Sequence, residues 1–172
     1  MVGSIDPASA QTNEQFQPDS SLHWINIGLG PGTGGIAAGA VLSIKQNSTN
    51  RYLSFRITYN EEFVLFTSPS ETVWDVGALI GIRNRSAKGL SSISAGLSVV
   101  GGRKRSGNRT GGDWFGSEYD SRIFTTMGIP VNTELFLTPS KNFGIGLNGF
   151  ANINPQKPFA GVLLCLQIGK IH

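Results

Sequence analysis

The chain has 172 residues, of which 39% are hydrophobic and 15% are charged, and its formal net charge is +3. That length suits one domain, and so small a charge does not indicate a nucleic-acid partner. No run of about 18 apolar residues occurs, which excludes a transmembrane helix. The single cysteine, Cys165, excludes an intramolecular disulfide. No grouping of His and Cys resembles a zinc site, so we expect neither a metal nor a cofactor.

The first 21 residues are predicted to form a leader and flexible lead-in, and residues 22–172 to form the folded domain. Ala8, Ser9 and Ala10 give an A-x-A pattern of the kind that precedes a signal-peptidase site, yet Met1 to Pro7 contains no apolar core. A shortened or replaced signal peptide and an added artificial leader both fit these residues, and the first interpretation is favoured.

From residue 22 onward, apolar residues alternate with small or polar ones. In the third predicted strand, Leu53, Phe55, Ile57 and Tyr59 alternate with Ser54, Arg56, Thr58 and Asn60. A period of two is the signature of a strand with two unlike faces. The pattern recurs about eight times with turn signals between, which predicts a single antiparallel up-and-down β-barrel with a lipid-facing exterior and a polar lumen.

The predicted strands have short and long connections in alternation. They run over 22–29, 35–45, 51–60, 72–84, 90–100, 122–138, 143–153 and 159–171, with a tight turn at 30–34. Pro130 lacks a ladder donor, so we expect a bulge or a local break there. Short connections follow the second, fourth and sixth strands, so they share one end of the barrel with both termini. In outer-membrane barrels that end is periplasmic.

The segment from Gly101 to Ser121 is predicted to be the longest loop, and it is rich in Gly, Arg and Lys. It carries the candidate contact residues Arg103, Lys104, Arg105, Arg109, Trp114, Phe115 and Tyr119. Loops longer than about 12 residues in a compact domain are usually functional or disordered. Cations beside aromatic rings can contact lipopolysaccharide phosphates or a protein partner, and the alternative is a solvated, mobile loop.

Charged residues in the polar phase form the second candidate site, a network inside the lumen. Its members are Arg56, Asp75, Arg83, Asn132, Glu134 and Asn148, with Lys45, Asn152 and Gln167 in the same phase. Buried charges are costly unless they are paired, so these side chains should form ion pairs that fill the lumen. The expected pair is Glu134 with Arg56 or Arg83. The alternative is a narrow gated pore or a small-ligand site.

Periodicity alone does not say which face is inside, because a soluble calycin-like barrel that binds an apolar ligand would show the same alternation. The polar face is mainly Gly, Ser, Thr and Asn rather than Lys and Glu, which suits a narrow lumen. Aromatic residues near strand ends also fit the girdles of membrane barrels. These residues are Tyr52, Tyr59, Trp74, Phe143 and Phe159.

The last quarter of the chain resembles a known class. The segments GIPVNTELFLTP from Gly128, FGIGLNGFANINP from Phe143 and CLQIGK from Cys165 resemble the closing strands of small outer-membrane barrel proteins of Gram-negative bacteria. The remainder resembles OmpA/OmpX-type barrels in pattern. The resemblance implies an outer-membrane location, a structural or interaction role, and membrane lipid, lipopolysaccharide or envelope proteins as partners. The chain departs from the pattern by ending in Lys170, Ile171 and His172 rather than in an aromatic residue.

We expect no enzymatic activity and no catalytic residues. Gly30, Gly32 and Gly35 fit a dinucleotide-binding spacing, but the following segment alternates as a strand, so a glycine turn is the better interpretation. The only histidines are His23 and His172, which leaves no base for a nucleophilic serine on the opposite rim. Cys165 falls in the lumen phase and is expected to be a buried structural thiol.

Overall fold

The computed structural model describes residues 22–45, 50–63, 67–86, 89–111 and 117–171, without the side chains of 67–68, 107–111 and 117–118. The predictions for the leader and for Trp114 and Phe115 therefore lie outside the described residues. The strands are β1 (Leu22–Gly32), β2 (Gly35–Lys45), β3 (Arg51–Glu62), β4 (Thr67–Ser68), β5 (Thr72–Arg85), β6 (Gly89–Gly111), β7 (Ser117–Leu137), β8 (Phe143–Ile153) and β9 (Phe159–Lys170). Within these ranges, no helix has the length and apolarity to cross a membrane.

Eight of the strands form a closed antiparallel barrel, as the alternation predicted. Neighbours in the chain pair with one another, and β1 pairs with β9 to close the ring. The two-residue β4 lies outside this ring and pairs in parallel with the start of β7. Closure leaves no barrel strand with an unpaired edge, which is the condition for placing a sheet in hydrocarbon.

The apolar face of every barrel strand points outward. Ile80 is 68% exposed and Leu97 is 64% exposed, whereas Arg56 and Glu134 in the opposite phase are each 1% exposed. A soluble barrel would have the reverse arrangement, because water would drive the apolar face inward. The calycin-like alternative is therefore wrong, and the exterior is the face that suits lipid.

Large and small side chains alternate inside the narrow barrel. The Trp24 and Tyr52 rings are 5.7 Å apart, and the Phe150 and Phe159 rings are 6.2 Å apart. The Tyr52 ring occupies the place that a side chain at Gly81 would need, since a Cβ there would lie 2.6 Å from Tyr52 Cζ. Tyr52 and Phe159 are thus buried lumen residues, and their predicted place in the outer girdles is wrong.

One strand boundary differs from the sequence-based prediction in the first hairpin. The strands β2 and β8 have the predicted bounds, but β1 continues to Gly32, and the turn consists of Thr33 and Gly34 alone. Gly34 has a φ of +81°, which a glycine adopts without strain. Gly30 belongs to the strand, where it pairs with Ala37, and the close approach of β9 requires a glycine because a Cβ would lie 2.1 Å from the carbonyl oxygen of Val162.

The predicted loop over 101–121 is wrong for most of its length. The strands β6 and β7 contain 23 and 21 residues, whereas the other barrel strands contain 11 to 14. The pairing continues to Gly111 and Glu118, with register shifts on both sides of Arg109. Glycine and arginine suggested a loop, but the backbone ladder tolerates both. This continuation is called the extended hairpin, residues 101–111 and 117–123.

Pro130 produces the local break that its missing N–H predicts. The β6–β7 ladder pairs Ala95 with Val131 and resumes at Ser98 and Gly128, so two partner pairs are interrupted. The register is the same on the two sides of this break, so no bulge forms. On its other side, Pro130 remains paired with Asn152 of β8.

We expect Gly81→Leu to destabilise the barrel by about 1–3 kcal/mol, because the new side chain would displace the Tyr52 ring from a filled interior. The measurement is the urea midpoint of unfolding in detergent micelles. Ala78→Leu is the matched control, since Ala78 lies on the same strand with its side chain outward. Equal midpoints for the two variants would contradict this account of the packing.

Candidate functional site: the lumen network and the extended hairpin

The part of the lumen nearer the extended hairpin contains a buried ion pair between Arg56 and Asp75. Thr58 donates its hydroxyl proton to the same carboxylate, and Asn152 Nδ2 donates to Asp75 Oδ2 at 2.6 Å. Asn152 also contacts Ser98 Oγ at 2.8 Å. Several donors thus converge on one carboxylate, which compensates the loss of its hydration.

Arg56 connects opposite walls of the barrel. Its Nη1 donates to the carbonyl oxygen of Val131 on β7 at 2.9 Å, and its Nη2 lies 3.3 Å from the carbonyl oxygen of Ala151 on β8. Because Arg56 projects from β3, its guanidinium spans the lumen. The side chain is therefore a cross-brace between strands that are not neighbours in the sheet.

Glu134 is the centre of a second cluster. This cluster lies nearer the end of the barrel at which β2–β3, β5–β6 and β7–β8 are connected, called the short-connection end. Its Oε1 accepts from Asn26 Nδ2 at 2.7 Å and from Asn132 Nδ2 at 3.4 Å, and its Oε2 accepts from Ser92 Oγ at 2.7 Å. The expected ion pair between Glu134 and Arg56 is wrong, because Arg56 pairs with Asp75, which is the acid on the adjacent strand. The register pairs Arg56 with Gly77 and Thr58 with Asp75, so Arg56 and Asp75 are diagonal neighbours on β3 and β5.

Arg83 lies at the short-connection end of the lumen and does not take Glu134 as a hydrogen-bond partner among the described residues. Its guanidinium carbon lies 4.2 Å from the centre of the Trp24 ring, and its Nη2 donates to the carbonyl oxygen of Ile171 at 3.3 Å. Ile171 is fully buried, and its N–H donates to the carbonyl oxygen of Lys141 at 3.1 Å. Trp24, Arg83 and Ile171 thus occupy this end of the barrel.

The remaining lumen candidates have less defined roles. Asn148 and Gln167 are buried, and within the described residues Asn148 Oδ1 and both amide atoms of Gln167 have no hydrogen-bond partner. Such atoms are usually satisfied by internal water. Lys45 is half-buried at the end of β2. Sequence reasoning missed Asn26, Ser92 and Ser98, although their inward phase was readable from the alternation.

The base of the extended hairpin is attached to two neighbouring connections. The Arg105 guanidinium pairs with Glu62 through Nη2 at 2.8 Å and donates through Nη1 to the carbonyl oxygen of Pro69 at 3.2 Å. The backbone N–H of Arg105 donates to the Glu71 carboxylate at 2.8 Å. Lys157 pairs with Glu71 from the β8–β9 connection at 2.5 Å. Partial burial alone would raise the pKa of Glu71, but the hydrogen bonds and charges of Lys157 and Arg105 lower it below its ordinary value.

The hairpin candidates therefore fall into different positions. Arg103 and Arg105 hold the 69–71 connection, with Arg103 Nη2 lying 3.4 Å from the carbonyl oxygen of Ser70. Lys104 Nζ donates to Gln156 at 2.8 Å and lies 5.8 Å from the centre of the Phe124 ring. Arg109 is a strand residue opposite the half-buried Tyr119. Lys104 pairs across the ladder with Arg122, a cation that sequence reasoning did not single out.

No family model and no curated protein matches this chain. Solved structures of small barrels do match its fold. Neisserial surface protein A has a TM-score of 0.59 and 12% identity, and the match covers 87% of this chain and 96% of that one. The N-terminal β-barrel domain of Pseudomonas aeruginosa OprF has a TM-score of 0.55 and 10% identity, with coverages of 87% and 96%. Ail of Yersinia pestis, in complex with the heparin analogue sucrose octasulfate, has a TM-score of 0.53 and 12% identity, with coverages of 87% and 98%.

The fold is therefore that of the eight-stranded outer-membrane barrels. The exposed apolar exterior and the polar, side-chain-filled lumen of this chain agree with that class. Sequence identities of 10–12% support a shared fold and do not establish a shared activity or ligand.

We expect Asp75→Asn to destabilise the barrel by about 3–5 kcal/mol, because it leaves the Arg56 guanidinium buried without its counter-charge. Thr58→Val, which removes one hydrogen bond from the same carboxylate, should cost only about 1 kcal/mol. The measurement is urea unfolding in micelles. The double variant Arg56→Met with Asp75→Leu should recover much of the loss. Stability of Asp75→Asn within about 1 kcal/mol of the parent would refute the brace.

We also expect Glu71→Gln to loosen the base of the hairpin at neutral pH and not in acid. A carboxyl whose folded pKa lies below its ordinary 4.5 stabilises the fold above that value, and the contribution disappears as pH falls through the folded pKa. The carboxylate lies at the rim and keeps contact with water, which screens these interactions, so the effect should be under about 1 kcal/mol. Hydrogen exchange of residues 103–105, compared between variant and parent from pH 7 downward through the titration of the Glu71 carboxyl, measures it. Glu61→Gln is the control, and equal exchange in both variants at pH 7 would exclude this role.

Proposed function

We propose that this protein is an integral outer-membrane barrel with a structural and interaction role. Its short-connection end, where β1 begins and β9 ends, faces the periplasm, and its extended hairpin stands outside the cell. The observation that carries the proposal is a closed barrel with an apolar exterior and one pair of strands roughly twice as long as the rest. Outer-membrane barrels have their longer connections outside the cell, and here the extended hairpin and the 63–71 connection both lie at the end opposite the chain termini. The two-residue turn at Thr33 and Gly34 is the shortest connection at that end.

The lumen is closed to solutes in this proposal. Arg56 crosses it from β3 to β7 and β8, and Asn26 of β1 reaches Glu134 of β7 at 2.7 Å. Two cross-lumen contacts at different depths leave no room for an open path in an eight-stranded barrel. The interior therefore stiffens the wall, and interaction falls to the exterior surfaces.

The extended hairpin is the surface that contacts an anionic saccharide outside the cell, such as the phosphorylated part of lipopolysaccharide. Lys104 and Arg122 are cross-strand neighbours, so their side chains leave the ladder on the same face. Like charges opposite each other destabilise a ladder, and a multivalent anion would relieve that repulsion. The structure of Ail with a heparin analogue supports the proposal by showing that a barrel of this fold can bind a sulfated sugar.

The test is isothermal titration of sucrose octasulfate into the micelle-solubilised full chain. The double variant Lys104→Gln with Arg122→Gln should weaken binding about tenfold, because charge-assisted contacts are lost from an exposed site. The affinity should also fall steeply with added salt.

Lys45→Gln is the matched control, since it removes one cation from the opposite end of the barrel. It should leave the affinity unchanged. Equal weakening by the control, or binding that persists in the double variant, would reject the hairpin as the contact surface. Arg103 and Arg105 are unsuitable for this test because they anchor the 69–71 connection.

A further inference from the structure

Charge is distributed unequally between the two ends of the barrel. The described residues at the short-connection end include four exposed cations, which we call the cationic collar, and no carboxylate outside the lumen. The collar consists of Arg51, Arg85, Lys141 and Lys170. At the opposite end, Glu61, Glu62 and Glu71 accompany the basic residues of the hairpin. The collar therefore attracts anions at the level where the apolar wall ends.

An apolar groove begins beside this collar on the outer surface. It has a volume of about 610 Å³, which lies within the ~300–1,000 Å³ range of small-molecule sites. The lining residues with outward-facing apolar side chains are Leu135, Leu137, Ile145, Leu147 and Leu164. Gly89 and Ser91 on β6 are small, so the surface is recessed between the leucines of β7 and the end of β5. Arg85 and Ser86 form the polar end of the groove.

A second groove adjoins the first on the β5–β6 side. It has a volume of about 480 Å³ and is lined in part by Ile82 and Ile93. Both grooves include Asn84 and Ser91, which are cross-strand partners. The two recesses therefore diverge from one polar point, which matches a molecule that has one head and two apolar chains.

We propose that these paired grooves bind one anionic glycerophospholipid, with its phosphate at Arg85 and its two acyl chains along the two recesses. The chains meet the outward leucine and isoleucine side chains, and the head lies at the collar, where charges are complementary. Ser91 separates the chains close to the glycerol. The site rests on the outward groove and the collar, and it does not depend on the saccharide contact at the hairpin.

The test is native mass spectrometry of the full chain released from micelles during titration with phosphatidylglycerol or phosphatidylcholine. We expect one phosphatidylglycerol to be retained per chain, with phosphatidylcholine bound more weakly. Arg85→Gln should raise the dissociation constant about fivefold, the loss expected for one cation at a membrane surface. Ser91→Phe, which fills the junction of the grooves without changing charge, should also abolish the single retained lipid.

Lys45→Gln separates a specific site from general attraction, because Lys45 lies at the same end on β2 and away from the grooves. Its dissociation constant should equal that of the parent. Equal weakening by Lys45→Gln and Arg85→Gln, equal retention of both lipids, or retention unaffected by Ser91→Phe would each overturn the proposal. Ser91 faces outward, so Ser91→Phe is compatible with folding, and an unshifted urea midpoint in micelles confirms it.

Discussion

The whole structure depends on the need to pair every backbone N–H and C=O group of a chain that lies in hydrocarbon. An open sheet would leave two edges, and each unpaired group in lipid costs several kcal/mol. Pairing of β1 with β9 removes both edges. Once the ring is closed with eight strands, its interior is narrow, so the inward side chains must be small or must interlock. The glycines beside Tyr52 and Phe150 and the brace at Arg56 all follow from that restriction.

Closure also separates the surfaces on which the protein can act. The outer wall of the barrel faces lipid, and the lumen is filled by two polar clusters centred on Asp75 and Glu134. The two rims of the barrel remain for contacts with other molecules. One rim has the extended hairpin, held upright by Arg105 and Lys157 through Glu62 and Glu71. The other has a cationic collar at the edge of the apolar wall. The proposed saccharide and lipid contacts use these opposite rims.

The sequence predicts most of the barrel because a period of two is a local property. The strands β2 and β8 begin and end where the alternation does, and Pro130 breaks one ladder as its missing N–H requires. The extended hairpin was missed for a physical reason. Apart from Tyr119 and Ile123, its residues are polar or glycine in both phases of the strands, so alternation stops although the backbone pairing continues. A Gly-, Arg- and Lys-rich strand then has the composition of a loop.

The sequence predicts which polar residues line the lumen, but it does not predict which of them contact one another. Inward phase identifies Arg56, Asp75 and Glu134 directly from the sequence, whereas the partner of each depends on register and on the stagger between strands. Arg56 finds Asp75 on the adjacent strand, and Glu134 is satisfied by Asn26 and Ser92 instead of a cation. The grouping of cations at the short-connection rim is likewise not readable from the sequence. Its cations are far apart in sequence, and only closure of the ring collects Arg51, Arg85, Lys141 and Lys170 around one end.

The exposed apolar phase of the strands faces lipid around a closed barrel. Refolding the urea-denatured chain into phospholipid vesicles, followed by electrophoresis of unheated and heated samples in dodecyl sulfate, tests it most directly. The unheated protein should migrate as a compact, faster band that heating converts to the unfolded position. A chain that folds as a soluble monomer without lipid or detergent, with no difference between heated and unheated samples, would contradict it.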